Sequence, residues 1–460
     1  MMSAAQSPTT LETRLKALQC HFTWDLDPGR SELFRLRDKL EDIGTEEGNS
    51  WLGHIYNLRG FIQDKLEDIG TEEGNSWLGH IYNLRGFIQY KLGFTEDAQS
   101  LFSRAAEAFR QMRNTDEGPW LVVNYGNLAW LHHHLGEQAE SQAYLSKVDA
   151  LMNTYPSPSQ DELHPEIYVE KAWTLMKCIK DKEAADYFER AIRMQPDMVE
   201  WHTSHMLALG SPFNFSNKEL EANVLEKMRI AKEQDPESLH LAVHYLEQCA
   251  KKGERIKDEA RELGRQVLRN PVISCSGMKA LLWVYKKYVS VDEAIDLAEE
   301  ALENHPDVRY LKSCVALCYK WKITSSEESR PEKSVIDRAI SLHKEVISLY
   351  PHSSFDKKID LANIYAKSNL DKADGMYQEL LKSDLEPKDK QMLYNNYAIY
   401  LNFYRQDRDR SITYHMKVVE IPQQSFYRKS SIRVLKKIKE KGRNQRCREI
   451  EEFLANLQKP

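Results

Sequence analysis

Apolar residues recur along this chain at spacings of three and four, with small residues at fixed places among them. Ala184, Phe188 and Ala191 follow this spacing, and Pro196 comes five residues after the last of them. Side chains three and four positions apart lie on one face of an α-helix, and proline cannot continue a helix. The pattern therefore predicts a helix with one apolar face that ends before Pro196.

The same frame returns further along the chain. It consists of Ala294, Ala298 and Ala301 before Pro306, and of Ala339, His343 and Val346 before Pro351. A second apolar helix lies upstream of each frame, whereas the period-two alternation of strands is almost absent. Small residues at facing positions let two helices approach closely. We therefore expect hairpins of about 34 residues, the tetratricopeptide pattern, and an all-α superhelix of such hairpins with interrupted repeats.

One stretch repeats on a different period. Residues 38–63 recur without a change at 64–89. This perfect copy is shorter than the degenerate period of about 34 residues, so we interpret it as an incidental duplication and not as the repeat unit. Each copy contains one apolar helix, predicted over 50–63 and 76–89, and we expect the addition to be tolerated as an extra hairpin.

Breaks in the pattern divide the chain. Pro/Ser-rich joins lie at 153–166 and 209–219, and residues 324–334 separate the two helices of one repeat as a surface loop. The expected divisions are an N-terminal segment over 1–37, the duplication over 38–89 leading into the first repeat, a tetratricopeptide array over 76–208, a second array over 209–422 that includes the loop insertion 324–334, and basic C-terminal helices over 423–460.

Composition narrows the function classes. Hydrophobic residues make up 41% and charged residues 29% of the chain, and the net charge is −6. No run of 18 apolar residues and no signal-peptide pattern is found, so we expect a cytosolic protein without a membrane partner. Seven scattered cysteines without a CxxC pair argue against a disulfide framework or zinc site. We expect Cys314 and Cys318 to be buried as small apolar residues.

Catalytic motifs are not found. The sequence contains no GxxxxGK[ST], HExxH or GxSxG, and its carboxylates follow exposed helix faces. His132, His133 and His134 are consecutive, and neighbouring helix positions point about 100° apart, so they cannot converge on one metal ion. We therefore expect neither catalytic residues nor a metal or other cofactor.

The motif CHFTWDL lies at residues 20–26, directly upstream of the repeat array. In this place it resembles the interferon-induced proteins with tetratricopeptide repeats. The resemblance continues in order along nearly the whole chain, through YNLRGFIQYKLGFTEDA, GNLAWLHHHLG, AYLSKV, PEIYVEKAWTLMKC, VSVDEAIDLAEEALENHPD and LCYK. The loop at 324–334 also lies where that family has an insertion.

The resemblance implies an interferon-inducible antiviral effector in the cytosol. Such a protein binds single-stranded foreign RNA by a 5′-phosphate or cap, in a basic groove of the superhelix, and sequesters it. Cationic side chains would neutralise the phosphates, and a flat side chain would stack on a base. Stacked hairpins supply the concave face. Family members or other innate-immunity proteins are implied as further partners.

The resemblance also assigns candidate RNA-binding residues. Trp173 is the expected stacking residue, and Lys177 is expected to face a phosphate. Lys39 lies where the family often has Arg or Thr, and Lys279 replaces a family Arg. Two more candidates follow about two turns beyond Lys279, namely Lys286 and Lys287.

A basic run occupies residues 426–448. It contains ten Lys or Arg residues against the single acid Glu440. A solvated terminal helix and an electrostatic rim for the RNA backbone are both compatible with this composition. We favour the rim, with Arg433, Lys436, Lys437 and Lys439 as its candidates.

Several family positions differ in this chain, which keeps a second function open. Ile43 and Cys314 stand where the family has Gln, and the repeat after Lys177 offers His202 and His205 in place of an Arg. Lysine cannot reproduce the bidentate grip of arginine. The alternative is a protein–protein adaptor in innate immune signalling without 5′-end specificity. Cationic and aromatic side chains on the concave face would favour RNA, and an apolar groove would favour a peptide.

Overall fold

Helices make up most of the chain that the structure describes. The computed structural model describes residues 8–43, 77–159, 161–211, 220–269, 275–325 and 331–457. Within these ranges there are 22 helices and no strand, which confirms the all-α prediction. The chain forms two compact units, Met1–Tyr310 and Leu311–Pro460.

The first unit is built from consecutive helices that pack in pairs. Its helices are α1 (Pro8–Ala17), α2 (Arg30–Asp42), α3 (Leu78–Leu92), α4 (Thr95–Arg113), α5 (Leu121–His134), α6 (Gln138–Thr154), α7 (Pro165–Lys177), α8 (Asp181–Met194), α9 (Val199–Gly210), α10 (Ala222–Gln234), α11 (Leu239–Lys251), α12 (Lys257–Arg269), α13 (Cys275–Tyr288) and α14 (Val291–Asn304). Helix α15 (Arg309–Ser325) begins at the end of this unit and continues into the second.

The second unit continues with seven more helices among its described residues. They are α16 (Lys333–Leu349), α17 (Phe355–Ser368), α18 (Leu370–Lys382), α19 (Pro387–Phe403), α20 (Arg408–Glu420), α21 (Phe426–Lys441) and α22 (Cys447–Asn456). Its core contains Tyr377, Tyr397 and Tyr400, which are almost fully buried. Buried phenol groups need hydrogen-bond partners; Tyr377 donates to Asn363 Oδ1 and Tyr400 to Asp374 Oδ1, each at 2.6 Å.

The small-residue frame lies at the contacts between helices. Ala184, Phe188 and Ala191 of α8 have no exposed surface. The two other frames, Ala294, Ala298 and Ala301 of α14 and Ala339, His343 and Val346 of α16, are at most 1% exposed. Helices α8, α14 and α16 end before Pro196, Pro306 and Pro351, respectively. These observations confirm the tetratricopeptide fold.

Gly86 shows why the frame needs small residues. A Cβ atom built at Gly86 of α3 would lie 2.7 Å from the ring carbons of Phe102 in α4. The glycine therefore lets the two helices approach until the phenyl ring touches the facing backbone. The turn that follows also uses glycine, because Gly93 has φ 93°, a value that favours a residue without a Cβ.

The CHFTW motif fills a space within the first unit. Cys20 and Trp24 are buried. The backbone N–H of His21 donates to Asn127 Oδ1 of α5 at 3.1 Å, and His21 Nε2 lies 3.0 Å from Thr174 Oγ1 of α7. The motif thus joins two hairpins of the first unit through buried hydrogen bonds.

Part of the duplication lies outside the described residues. Residues 44–76 belong to this part, including the helix predicted over 50–63 and the start of the one predicted over 76–89. The remainder of that second helix is α3. The join predicted at 153–166 falls between α6 and α7. Residues 212–219 of the join predicted at 209–219 and residues 326–330 of the loop predicted at 324–334 lie outside the described residues. The division into arrays at residues 76–208 and 209–422 stays a prediction.

Candidate functional site

Lys39, Lys177 and Lys279 share one electrostatic environment in the first unit. Lys39 lies in the last turn of α2, Lys177 is the last residue of α7, and Lys279 lies in α13. Burial and then the charge of Lys39 lower the pKa of Lys177 to about 7. Burial and then the charge of Lys279 lower the pKa of Lys39. Lys39 is therefore close enough to Lys177 and to Lys279 for like charges to repel.

We call the surroundings of these three lysines the lysine pocket, and none of the three is fully buried. Lys39 is exposed to solvent, and Lys177 and Lys279 are half-buried. Burial of part of the Lys39 side chain is the main cause that lowers its pKa. Among the described residues, none of the three lysines forms an ion pair with a carboxylate. Asp181 attracts Lys39 electrostatically, but its carboxylate accepts a hydrogen bond from Ser211 Oγ at 2.8 Å.

His240 of α11 faces the same pocket. Burial is the main cause that holds its pKa well below the ordinary value, and the charges of His244, Lys177 and Lys39 add to this effect. The imidazole is therefore neutral at pH 7 and supplies one donor and one acceptor. Sequence reasoning missed His240, because no motif or spacing connects it to the lysines.

Trp173 lies one turn before Lys177 and is covered. Its side chain is 2% exposed. The Lys177 Nζ atom lies 4.8 Å from the centre of the Trp173 ring, a cation–π distance. The Trp77 ring stacks on Trp173 with 5.9 Å between centroids and 12° between planes. Trp173 therefore forms a wall that positions the amine of Lys177.

A buried polar network supports this wall. Glu170 of α7 forms a buried hydrogen-bonded pair with His80 and accepts a hydrogen bond from Asn83 Nδ2 at 3.1 Å. Burial acts to raise the pKa of Glu170, yet the charge and hydrogen bond of His80 bring it below the ordinary value. Glu170 precedes Trp173 by about one helical turn, so the network anchors the part of α7 that carries Trp173 and Lys177.

Arg309 anchors the helix that carries Lys39. Its Nε atom donates to Asp42 Oδ1 at 2.8 Å, and its Nη2 atom donates to Glu41 Oε2 at 3.0 Å and to the Asp38 carbonyl at 3.1 Å. All three acceptors belong to the last two turns of α2. Sequence reasoning missed Arg309 as well, since nothing in its neighbourhood points to a helix that far upstream.

The remaining lysine candidates lie over aromatic rings. The amine of Lys279 is 4.4 Å from the centre of the Tyr310 ring. Lys286 lies over Trp283 at 4.8 Å, and Lys287 over Tyr288 at 5.0 Å. Lys279 also lowers the pKa of Lys39 through its charge, whereas Lys286 and Lys287 lie over rings of their own helix.

Positions that depart from the family pattern contribute no cation to the pocket. Ile43 is half-buried and packs against the apolar core of the first unit, and Cys314 is buried in the second unit with Cys318. His202 Nε2 lies 2.8 Å from the Pro196 carbonyl oxygen. Burial lowers the pKa of His205 to about 4, so that this side chain is neutral at pH 7.

The basic run of the second unit forms an exposed helix surface. Arg433, Lys436, Lys437 and Lys439 lie on α21 and are exposed. Lys439 Nζ forms an ion pair with Glu451 Oε1 of α22 at 2.9 Å. This helix therefore presents several cations to solvent. Such a surface is compatible both with a rim for the RNA backbone and with a solvated helix face.

The three consecutive histidines point to different neighbours. His132 Nδ1 lies 2.5 Å from Glu137 Oε2, and the ring of His134 stacks on Tyr90 at 5.2 Å. Throughout the described ranges, no group of His, Cys, Asp or Glu side chains is arranged to hold a metal ion. A search of the same ranges finds no helix with the length and apolar character needed to cross a membrane.

Comparison with protein families identifies one repeat directly. Residues 165–198 match the tetratricopeptide repeat family. This match contains helices α7 and α8 and thus includes Trp173 and Lys177. Together with the buried small-residue frames, it defines the chain as a tetratricopeptide-repeat protein.

Similarity to known proteins extends over nearly the whole chain. The human antiviral innate immune response effector IFIT1 is 24% identical over 95% of this chain and 89% of its own length. Interferon-induced protein with tetratricopeptide repeats 2 from Cricetulus griseus is 25% identical over 95% of this chain and 88% of its own length. The chain is therefore similar, over nearly its whole length, to the interferon-induced proteins with tetratricopeptide repeats.

Solved structures show the same fold. A human IFIT1 dimer with PPP-AAAA has a TM-score of 0.63 at 24% identity and covers 94% of this chain and 91% of its own. A monomeric IFIT1 mutant with Gppp-AAAA has a TM-score of 0.66 at 22% identity and covers 98% of this chain and 99% of its own.

Proposed function

We propose that this chain is an interferon-inducible antiviral effector that binds single-stranded foreign RNA at its 5′ end and sequesters it. The observation that carries the proposal is the convergence of Lys39, Lys177 and Lys279 without a carboxylate partner in the described structure. Partly desolvated like charges raise the free energy of the empty pocket. A ligand with several negative charges, such as a 5′-triphosphate, would offset this repulsion between the lysines.

The nature of the pocket walls and the relatives support RNA as the ligand. Human IFIT1 has been solved with PPP-AAAA and a mutant of IFIT1 with Gppp-AAAA. The pocket gathers cations, which can neutralise the phosphates of a nucleic acid. The adaptor alternative is not favoured, because a peptide groove would be lined by apolar side chains.

The roles of the residues differ within this proposal. Lys39, Lys177 and Lys279 contact the phosphates, and Trp173 positions the amine of Lys177. Lys286 and Lys287 contact the RNA backbone further from its end, and the rim candidates on α21 supply additional positive charge.

The chain acts by binding and not by catalysis, and it does so in the cytosol. Stacked hairpins with a cationic pocket and no catalytic motif suit sequestration. Since human IFIT1 was solved as a dimer, members of the same family are the protein partners we propose.

The test is binding of one short single-stranded RNA with either a 5′-triphosphate or a 5′-hydroxyl, measured by fluorescence anisotropy at about 50 and 200 mM salt. We expect tighter binding of the triphosphate, weakening with salt, and a loss of about tenfold or more in Lys177→Ala. Lys171→Ala is the matched control, because Lys171 lies on the same helix but over the Tyr187 ring. Binding that ignores the 5′ group would refute the proposal.

A further inference from the structure

Trp77 occupies the place that a stacked base would need. Its ring lies nearly parallel to that of Trp173, with 12° between the planes and 5.9 Å between the centroids. Aromatic rings stack in an offset arrangement at centroid distances of about 4.5–7 Å. Only 2% of Trp173 is exposed. A purine therefore has no ring surface of Trp173 on which to stack while Trp77 stays in place.

Trp77 is held in this position by its neighbours. It immediately precedes α3, and its carbonyl oxygen accepts a hydrogen bond from the Ile81 N–H at 2.8 Å. Its ring lies 4.9 Å from that of His80. His80 in turn is bonded to the buried carboxylate of Glu170 on the helix of Trp173. The same network thus fixes both partners of the indole stack.

The lysines remain accessible beside this stack. The Lys177 Nζ atom lies 4.8 Å from the centre of the Trp173 ring. Lys39 and Lys279 belong to other helices, and both lie near enough for their charges to interact. A terminal phosphate chain requires cations and little width, whereas a cap adds a purine ring that needs a flat surface and room. The pocket as built satisfies the first requirement and not the second.

We propose that Trp77 is a specificity-determining residue that excludes a cap base from the lysine pocket, so that the chain binds uncapped 5′-phosphorylated RNA. This inference rests on the proposed function of 5′-end binding. It assigns to Trp77 a role in choosing between two RNA ends, and to Trp173 the role of its stacking partner.

The test compares RNAs of one sequence that carry either a 5′-triphosphate or an unmethylated guanosine cap. The wild-type chain should bind the triphosphate at least about tenfold more tightly. Trp77→Ala should gain at least about tenfold in affinity for the capped RNA and keep its affinity for the triphosphate within about threefold. Trp77→Phe retains an aromatic cover and should still reject the cap. Trp120→Ala is the matched control, since that indole lies under the Arg113 guanidinium at 5.3 Å.

The outcomes separate this inference from the proposed function. If Trp77→Ala binds the triphosphate RNA but gains no affinity for the capped RNA, the inference about Trp77 is wrong and the proposed function stands. Equal binding of both RNAs by the wild-type chain also overturns it, because Trp77 would then move aside. No 5′-dependent binding by the wild-type chain overturns the proposed function, and the inference falls with it. Should Trp77→Ala fail to fold, Trp77→Leu preserves apolar volume without a flat ring and should show the same gain for the cap.

Discussion

Arg309 Nε and Asp42 Oδ1 are 2.8 Å apart, although the two residues are 267 positions apart in the chain. The contact belongs to the first unit and ties the end of α2 to the start of α15. Glu41 accepts a second hydrogen bond from the same guanidinium at 3.0 Å. Because Lys39 lies in this last turn of α2, its place in the pocket depends on an arginine that no local pattern associates with it.

Replacing Arg309 by Met should weaken both stability and RNA binding. The arginine and its acceptors are partly buried, with 23% of the Arg309 and 10% of the Asp42 side chain exposed. The substitution removes the hydrogen bonds from Arg309 to both carboxylates, although Arg37 and Arg85 stay near Glu41. We expect a loss of about 1–3 kcal/mol in the free energy of unfolding. Urea denaturation measures this loss, and anisotropy with triphosphate RNA should show several-fold weaker binding.

Arg229→Met is the control for that experiment. Arg229 also binds two carboxylates, Glu226 and Glu233, but its side chain is 40% exposed. Exposed pairs of this kind contribute little to stability, because solvent screens them. An equal loss in both variants would contradict the anchoring role of Arg309.

RNA affinity should fall as pH rises above 7. The pKa of Lys177 in the free chain is lowered to about 7, and a bound phosphate anion would raise it. Below pH 7 the amine is protonated with or without RNA, so affinity stays level. Above pH 7 binding requires proton uptake, and affinity should decrease by up to about tenfold per pH unit. Titrations between pH 6 and 9 test this dependence.

The variant Lys177→Arg tests whether Lys177 causes this pH dependence of RNA affinity. Arginine stays charged throughout this range, so the affinity of this variant should be nearly constant from pH 6 to 9. The same slope in Lys177→Arg as in the wild-type chain would assign the proton uptake to another residue.

Gly86→Ala should destabilise the first unit. The added methyl group would lie 2.7 Å from the Phe102 ring, and the helix pair must separate or the ring must shift. Overpacking of this kind reduces the free energy of unfolding by about 1–3 kcal/mol. Gly375→Ala on α18 meets no atom within 4 Å and should stabilise its helix by about 0.5–1 kcal/mol. Thermal melts that shift in the same direction for both variants would refute the close-approach argument.

The chain should lose stability in mild acid. Burial lowers the pKa to about 4 for His21, His164, His205, His244 and His415. An unfolded chain binds protons at these side chains near pH 6.5, whereas the folded chain does not until about pH 4. Stability therefore falls as pH decreases from about 6.5 to 4, by up to about 1.4 kcal/mol per pH unit for each histidine.

Urea midpoints at pH 7, 6 and 5 measure this acid sensitivity. His205→Gln replaces a half-buried imidazole with a side chain that does not titrate. The free energy of unfolding of this variant should fall less steeply with decreasing pH than that of the wild-type chain. The difference in slope should correspond to roughly one proton fewer taken up on unfolding. An unchanged slope would show that His205 is protonated equally in both states.

Some parts of the candidate site could be predicted and others could not. Lys177 and Trp173 were predicted because they lie in a repeat that resembles the family, and Lys39 and Lys279 because they occupy family positions on other helices; their role in RNA binding stays a prediction. His240 and Arg309 were not found, since their contacts come from distant helices. Trp77 was visible as part of the duplicated segment, but nothing in the sequence indicated that it would cover another tryptophan.

The sequence by itself determined the helices, their pairing and the burial of frames such as Ala184, Phe188 and Ala191. These features depend on spacings of three and four residues and on small side chains within one repeat, which are local properties. Only the tertiary structure decided that three lysines share a pocket, that Trp77 covers Trp173 and that Arg309 binds Asp42. The physical reason is that each of these contacts depends on how separate hairpins stack, and spacing along the chain does not specify that arrangement.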